Sequence, residues 1–396
     1  MNVLVYVADA LRTDHLGCYG SRLVNTRTID ELAAGGVRFD HAISAAPWTA
    51  PSTTSIVTGL YAHHHGYLHW DAQLDPTTET LFRAFAAHGY VVGSFVFDEN
   101  YLFKDLPEAN VLGTSESLDG AFEWIRANRT RPFLLYVHNW ATHMPYDILH
   151  ADRKDWLAAK QEVIEGIQSD SASALEAMRE SYRKAVEHQS EVLVASLLEE
   201  LETLGLRETT VLAFLSDHGE SWGERFAAKD EVKGVYHMHG ATVYDEIVQI
   251  PLVLSAPGTI EPGVVESQVR SIDLMPTLLE LAGLPAREAD GESLLPLLDG
   301  RELGDRVAVI AGTDMGALTK LAVRKPPWKL ILHVESGEEE AYDLELDPRE
   351  LESRPQEAPP ELREIVFREL ERAERHELTE EEEATVAKRL ADLGYL

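Results

Sequence analysis

Apolar and β-branched residues come in short runs that stop at a polar residue. Val3–Val7 runs out at Asp9, Val91–Phe97 at Asp98, Phe133–Val137 at His138 and Val211–Leu215 at Asp217. Runs of this length and make-up predict strands buried on both faces. Between them, Ile29–Ala34, Thr80–Ala87 and Ser181–Leu204 repeat apolar residues at helical spacing. Strand and helix in alternation predict an α/β fold, a large mostly parallel sheet flanked by helices. Ser271–Ala282 predicts another helix, stopped by Gly283 and Pro285.

Past about residue 300 the pattern changes. Val307–Ile310, Leu321–Val323 and Lys329–His333 predict short strands, Ser336-Gly337 a turn, and a glutamate-rich stretch near Pro360–Leu393 a helix. The expected division is a main domain over residues 1–300 and a small C-terminal antiparallel sheet plus helix over residues 301–396. No internal repeat interrupts it.

Charge narrows the partners. The net charge of −33, from 68 acidic and 35 basic residues, repels nucleic acid and anionic membrane, so neither is an expected partner. The acidic excess fits a high-salt habitat, where self-repulsion is screened, and equally an ordinary acidic, soluble protein. No apolar run reaches the roughly 18 residues of a membrane span. The opening Met1–Asp9 reads as a first strand and not as a signal peptide. With Cys18 as the single cysteine, an internal disulfide is impossible, and a cytoplasmic location is the expectation. Self-association stays open.

Ligands of open α/β sheets bind beyond the carboxyl ends of the strands. Asp9, His138 and Asp217 are all predicted there. Asp217-His218 is the strongest pair, offering an oxygen and a nitrogen to one divalent cation, with Asp9 as a third ligand. An Asp after a strand also serves as a plain helix cap, which is the simpler role for Asp9 taken alone. Thr49 lies just before Pro51, a residue suited to a first helical turn. Its hydroxyl is thereby placed where backbone N–H groups favour an anion. Read from that segment alone, Thr49 is an N-cap. Histidines gather at His63-His64-His65, His69, His138, His143, His237 and His239, in predicted loops around these candidates. His239 is the best further ligand, and His143 the best anion contact or general acid.

These segments together resemble the sulfatase branch of the alkaline phosphatase superfamily. Ala8–Gly20 is similar to that family's opening strand and metal loop, and Thr58–Gly66 to the segment after its nucleophile. Ser216–Glu220 and Tyr244-Asp245-Glu246 resemble its second metal segment, and Ile272–Leu279, Lys329–Leu332 and Leu393–Leu396 its C-terminal part. The likeness runs in order along nearly the whole chain. It implies an alkaline phosphatase-like fold, a divalent metal (Mn, Zn, Ca or Mg, one ion or two) on Asp9, Asp217 and His218, and Thr49 at the nucleophile position. It puts His143 against a small anionic ester, and His239 near the substrate or a second metal.

Two departures bear on chemistry. Sulfatases turn a Cys or Ser into formylglycine within Cys/Ser-x-Pro-x-Arg, whereas this chain has Thr49 and, in place of the arginine, Thr53. Related phosphodiesterases, phosphonate hydrolases and phosphoethanolamine transferases use an unmodified threonine. The expectation is therefore hydrolysis of phosphate mono- or diesters or phosphonate esters through a Thr49 covalent intermediate. A sulfuric ester hydrolase is the alternative, and a binding protein that has lost the chemistry is the third reading. Ala10 follows Asp9 where many sulfatases have a second aspartate, and Asn139-x-x-x-His143 only echoes the Asp-x-x-x-His of two-metal phosphodiesterases.

Overall fold

The computed structural model describes residues 1–69, 72–97, 103–115, 117–146, 172–222, 239–240, 242–301, 303–304, 306–313 and 317–373. Asp98, His237, the end of the predicted C-terminal helix and the closing Leu393–Leu396 lie outside these residues.

Among the described residues, fifteen strands form three sheets. In chain order they are β1 (Asn2–Ala8), β2 (Val37–Phe39), β3 (Ala42–Ile43), β4 (Val91–Val96), β5 (Val111–Thr114), β6 (Phe133–Asn139), β7 (Thr210–Leu215) and β8 (Gln249–Ile250). There follow β9 (Leu252–Ser255), β10 (Gly263–Val265), β11 (Val269–Arg270), β12 (Ala308–Thr313), β13 (Leu318–Lys325), β14 (Trp328–His333) and β15 (Glu339–Asp343). The main sheet has the order β10-β2-β9-β7-β1-β6-β4-β5, and only β9 runs against the rest. Its centre is buried: every residue of β1, β6 and β7 is buried, so each strand reads as an apolar run with polar residues only at its ends. The large, mostly parallel sheet predicted from the chain is present.

The predicted helices are present with adjusted ends. Thr80 caps Leu81–Ala87, its hydroxyl accepting from the Arg83 N–H at 3.1 Å. The long helix starts at Ala172, earlier than Ser181. It also widens into a π turn over Gln189–Val194 before continuing as Ala195–Thr203. That turn packs against Arg27–Ala34: Ser190 Oγ and Glu191 Oε1 accept from the Ile29 and Thr28 N–H groups, satisfying the first orphan donors of that helix. β6 extends two residues beyond Val137, so His138 lies inside the strand and not after it. His63, His64 and His65 stand on a one-turn helix, Ala62–His65, where a loop was expected.

The antiparallel sheet β12-β13-β14-β15 and the helix Pro360–Arg372 form the small C-terminal unit. Its apolar face shares a core with Ala45, Ala46, Tyr61 and Ile272. A buried charge cluster also joins it to the short helix Asp245–Val248. Lys329 Nζ on β14 is completely buried, 2.9 Å from Asp245 Oδ1 and 2.8 Å from Glu350 Oε1, and Arg324 also reaches Asp245 at 3.0 Å. Removing one member of such a cluster strands the others without solvent. Lys329→Met should therefore cost about 3–5 kcal/mol in urea unfolding. Burial works to raise the Asp245 pKa, but Arg324 and Lys329 hold it well below the usual range. Its contribution is complete above about pH 4 and is lost as the pH falls. Asp245→Asn should flatten the acid limb of the stability curve.

Candidate metal centre

Three elements deliver the site. β1 ends at Ala8, and the chain turns sharply there because Ala10 sits in the left-handed region at φ 57°. That turn aims Asp9 across the carboxyl edge of the sheet. β7 ends at Leu215, and Ser216 fixes the exit by donating to the Ala8 carbonyl at 2.6 Å, so the two strand ends are tied. Gly219 then passes so close to Glu246 that a Cβ would lie 2.2 Å from its carbonyl oxygen; only glycine fits. The third element is the helix Thr49–Thr58.

Thr49 is the first residue of that helix, one place later than a cap. Trp48 occupies the cap position, and no side chain caps the helix. The N-cap role suggested by the segment alone is overturned: the Thr49 hydroxyl lies 3.2 Å from His218 Nε2 instead. Ser52, one turn on, donates to the Asp217 carbonyl at 2.7 Å and locks helix to metal loop.

Asp9, Asp217 and His218 present one ligand atom each within 4.8 Å of one another, and all three are buried. His218 Nε2 lies 3.5 Å from Asp9 Oδ1 and 3.4 Å from Asp217 Oδ2. Those two carboxylate oxygens are buried and have no hydrogen-bond partner. The other oxygen of each is engaged: Asp9 Oδ2 accepts from His138 Nε2 at 3.0 Å, and Asp217 Oδ1 from the His218 N–H at 3.0 Å. His218 Nδ1 donates to the Gly219 carbonyl at 2.8 Å, which turns the Nε2 lone pair of the neutral ring inward. Separations near 3.4 Å are those of ligands sharing a cation at about 2.0–2.3 Å. The residues fit a divalent ion.

Electrostatics make the same demand. Burial pushes the Asp217 carboxyl up, and the Asp9 charge pushes it further. Burial works the same way on Asp9, but His143, His138 and His218 hold its carboxyl well below the usual range. Burial opposes a charge on His218, yet the Asp217 and Asp9 carboxylates raise its pKa. Two facing buried carboxylates need positive charge between them.

The other predicted residues stand around this group. His239 Nδ1 is 3.1 Å from Glu220 Oε1, and its ring centroid is 4.5 Å from that of His218 and 5.0 Å from that of His143. His143 Nδ1 lies 2.7 Å from the Met144 carbonyl. Glu220 was missed as a site residue, visible only as part of Ser216–Glu220, and His138 was placed at a strand end beside Asp9 and Asp217 without a role. Burial pushes the Glu220 pKa up to about 7, against a hydrogen bond from Tyr146 and the fields of His143 and His218. A protonated carboxyl beside His239 gives the site an exchangeable proton near neutrality.

The chain and its fold are similar to those of known proteins. The family model described as Sulfatase matches residues 1–284, and one described as N-sulphoglucosamine sulphohydrolase, C-terminal, matches residues 236–376. The chain is similar to the uncharacterized sulfatase YidJ of Escherichia coli (strain K12), 25% identical over 88% of this chain and 82% of that protein. Its fold is similar to that of a protein solved in complex with its substrate D-glucosamine-2-N,6-O-disulfate. The TM-score is 0.69 at 18% identity, covering 94% of this chain and 98% of the other. It is also similar to that of the phosphonate monoester hydrolase of Agrobacterium radiobacter, with TM-score 0.68 at 19% identity, covering 99% and 95%.

Proposed function

Because the chain belongs to the sulfatase family of ester hydrolases, we propose that it hydrolyses a sulfate ester at the centre of Asp9, Asp217, His218 and Thr49. The observation carrying this reading is the Thr49 hydroxyl 3.2 Å from His218 Nε2, beside two carboxylate oxygens with no hydrogen-bond partner. The chain's own residues ordered phosphorus esters first, on the strength of Thr49; the relatives support a sulfate ester better.

A divalent cation held by Asp9, Asp217 and His218 would supply Lewis acidity, lowering the Thr49 hydroxyl pKa and offsetting the ester's charge. Thr49 Oγ1 then forms the new bond to the central atom in line with the departing alcohol oxygen. The first N–H groups of the helix Thr49–Thr58 face the charge that develops on the ester oxygens. His239, paired with Glu220, holds a proton for the leaving oxygen, and His138 keeps Asp9 oriented. Water in a second displacement releases the anion and restores the threonine.

Thr49 itself favours a second reading, a phosphorus ester. Oxidising a threonine yields a ketone and not the formylglycine aldehyde, because its Cβ carries a methyl group. A threonine ester intermediate therefore has no geminal hydroxyl to expel the anion, and it must be cleaved by water directly. Phosphorus accepts such attack well. Purified, metal-loaded protein assayed on aryl sulfate, aryl phosphate, phosphodiester and phosphonate esters separates the readings. Highest kcat/KM on the sulfate supports the first, and a preference for any phosphorus ester replaces it with the second. No turnover on all four would sink both and leave a binding protein.

A further inference from the structure

A second set of metal-type side chains lies at the seam between the main domain and the C-terminal unit. Among the described residues, His63, His64 and Glu369 form the one further group whose ligand atoms lie within 4.8 Å of one another. His63 Nε2 is 3.4 Å and His64 Nε2 3.1 Å from the same oxygen, Glu369 Oε2. The two rings belong to neighbouring residues of one helical turn, yet their centroids are only 4.2 Å apart because both turn toward Glu369. Glu369 is brought there by the helix Pro360–Arg372, some three hundred residues on. We propose that His63, His64 and Glu369 bind a structural divalent cation of the zinc class that clamps the C-terminal helix onto the main domain.

Geometry and chemistry support this over a plain ionic cluster. Ligands of a tetrahedral zinc with bonds near 2.0 Å lie about 3.3 Å apart, the separations seen here. As a hydrogen bond, 3.4 Å is long. His63 is fully buried, and without a cation its Nε2 has only the long 3.4 Å contact to Glu369. His64 has the outer partner typical of a metal ligand: its Nδ1 donates to Asp290 Oδ2 at 2.7 Å, leaving Nε2 for a metal. Asp290 is itself fixed by the Tyr61 N–H at 2.9 Å. The remaining charged neighbours, Arg368 and Arg372, reach the other carboxylate oxygen, Glu369 Oε1, at 3.3 and 3.5 Å, and Arg372 also lies 3.5 Å from Oε2. Both arginine side chains are more than half exposed and can swing outward. Three protein ligands leave one coordination position for water.

None of these residues takes part in the ester chemistry, so the site can be tested apart from it. The full chain would be refolded or dialysed with zinc alone, desalted, and its bound metal counted by mass spectrometry. Wild type should hold one more equivalent than Glu369→Gln and His63→Asn, and zinc should raise its melting temperature more than theirs. Asp217→Asn should keep that equivalent. Both clamp variants should turn over the preferred ester within about twofold of wild type. Equal metal content in wild type and Glu369→Gln overturns the proposal, as does an Asp217→Asn protein that holds no zinc at all. Should His63→Asn fail to fold, Glu369→Gln decides alone, since its amide fills the same space and keeps a neutral polar group against both histidines.

Discussion

Thr49→Ala should lower kcat on the preferred ester by about 10³-fold or more, while the protein keeps its fold and its metal. The hydroxyl caps no helix and meets only His218 among its resolved hydrogen-bond partners, so its loss removes a nucleophile and little else. Only a methyl and a hydroxyl are deleted from a site that is 6% exposed, a cost of about 1 kcal/mol in stability. Thr49→Ser restores the hydroxyl and should recover a measurable part of the rate. Steady-state kinetics with metal analysis of the same preparations checks both variants. A Thr49→Ala enzyme turning over within tenfold of wild type would remove Thr49 as nucleophile, whatever the substrate.

Asp217→Asn should separate function from stability in opposite directions. The amide oxygen can keep the bond from the His218 N–H, whereas an NH2 group takes the place of Oδ2, which faces His218 Nε2 at 3.4 Å. An amide nitrogen does not ligate a divalent ion, so the variant should lose the metal of this centre and about 10³-fold or more in kcat/KM. It also removes one of two facing buried carboxylates, both burdened by desolvation. The metal-free variant should therefore be more stable than metal-free wild type, by about 1 kcal/mol or more, as expected where a site is strained for its task. Urea unfolding in chelator tests this: a less stable variant would mean that Asp217 serves the fold and not an ion.

These results bear on how the family's chemistry sits on this chain. Asp9, Asp217 and His218 bring three ligand-type atoms together beside a threonine hydroxyl, and the histidines beyond them are paired with protein groups. His239 lies against Glu220, and His143 against its own Met144 carbonyl. On the proposed reading, the first set would balance the charge of the ion and the second would handle protons.

What could be read from residue order was whatever is local. Apolar runs a few residues long report strands because a strand buried on both faces tolerates little else, and they located β1, β6 and β7 within two residues at their ends. Since ligands collect beyond such ends, Asp9 and Asp217-His218 were legible as a ligand set. Pairing across the chain was not. Thr49 meets His218 169 positions later, a distance set by Ser44 and Ser52 both docking onto the Asp217 carbonyl. His138 reaches Asp9 because β6 lies beside β1 in parallel register, Val7 opposite His138, and a histidine near a strand end carries no mark of its neighbour strand. His63 and His64 looked like one more histidine run until a distant helix brought Glu369 against them. Short-range pattern encodes burial and period, whereas a site needs side chains from several elements at fixed separations, and those arise only when the elements pack.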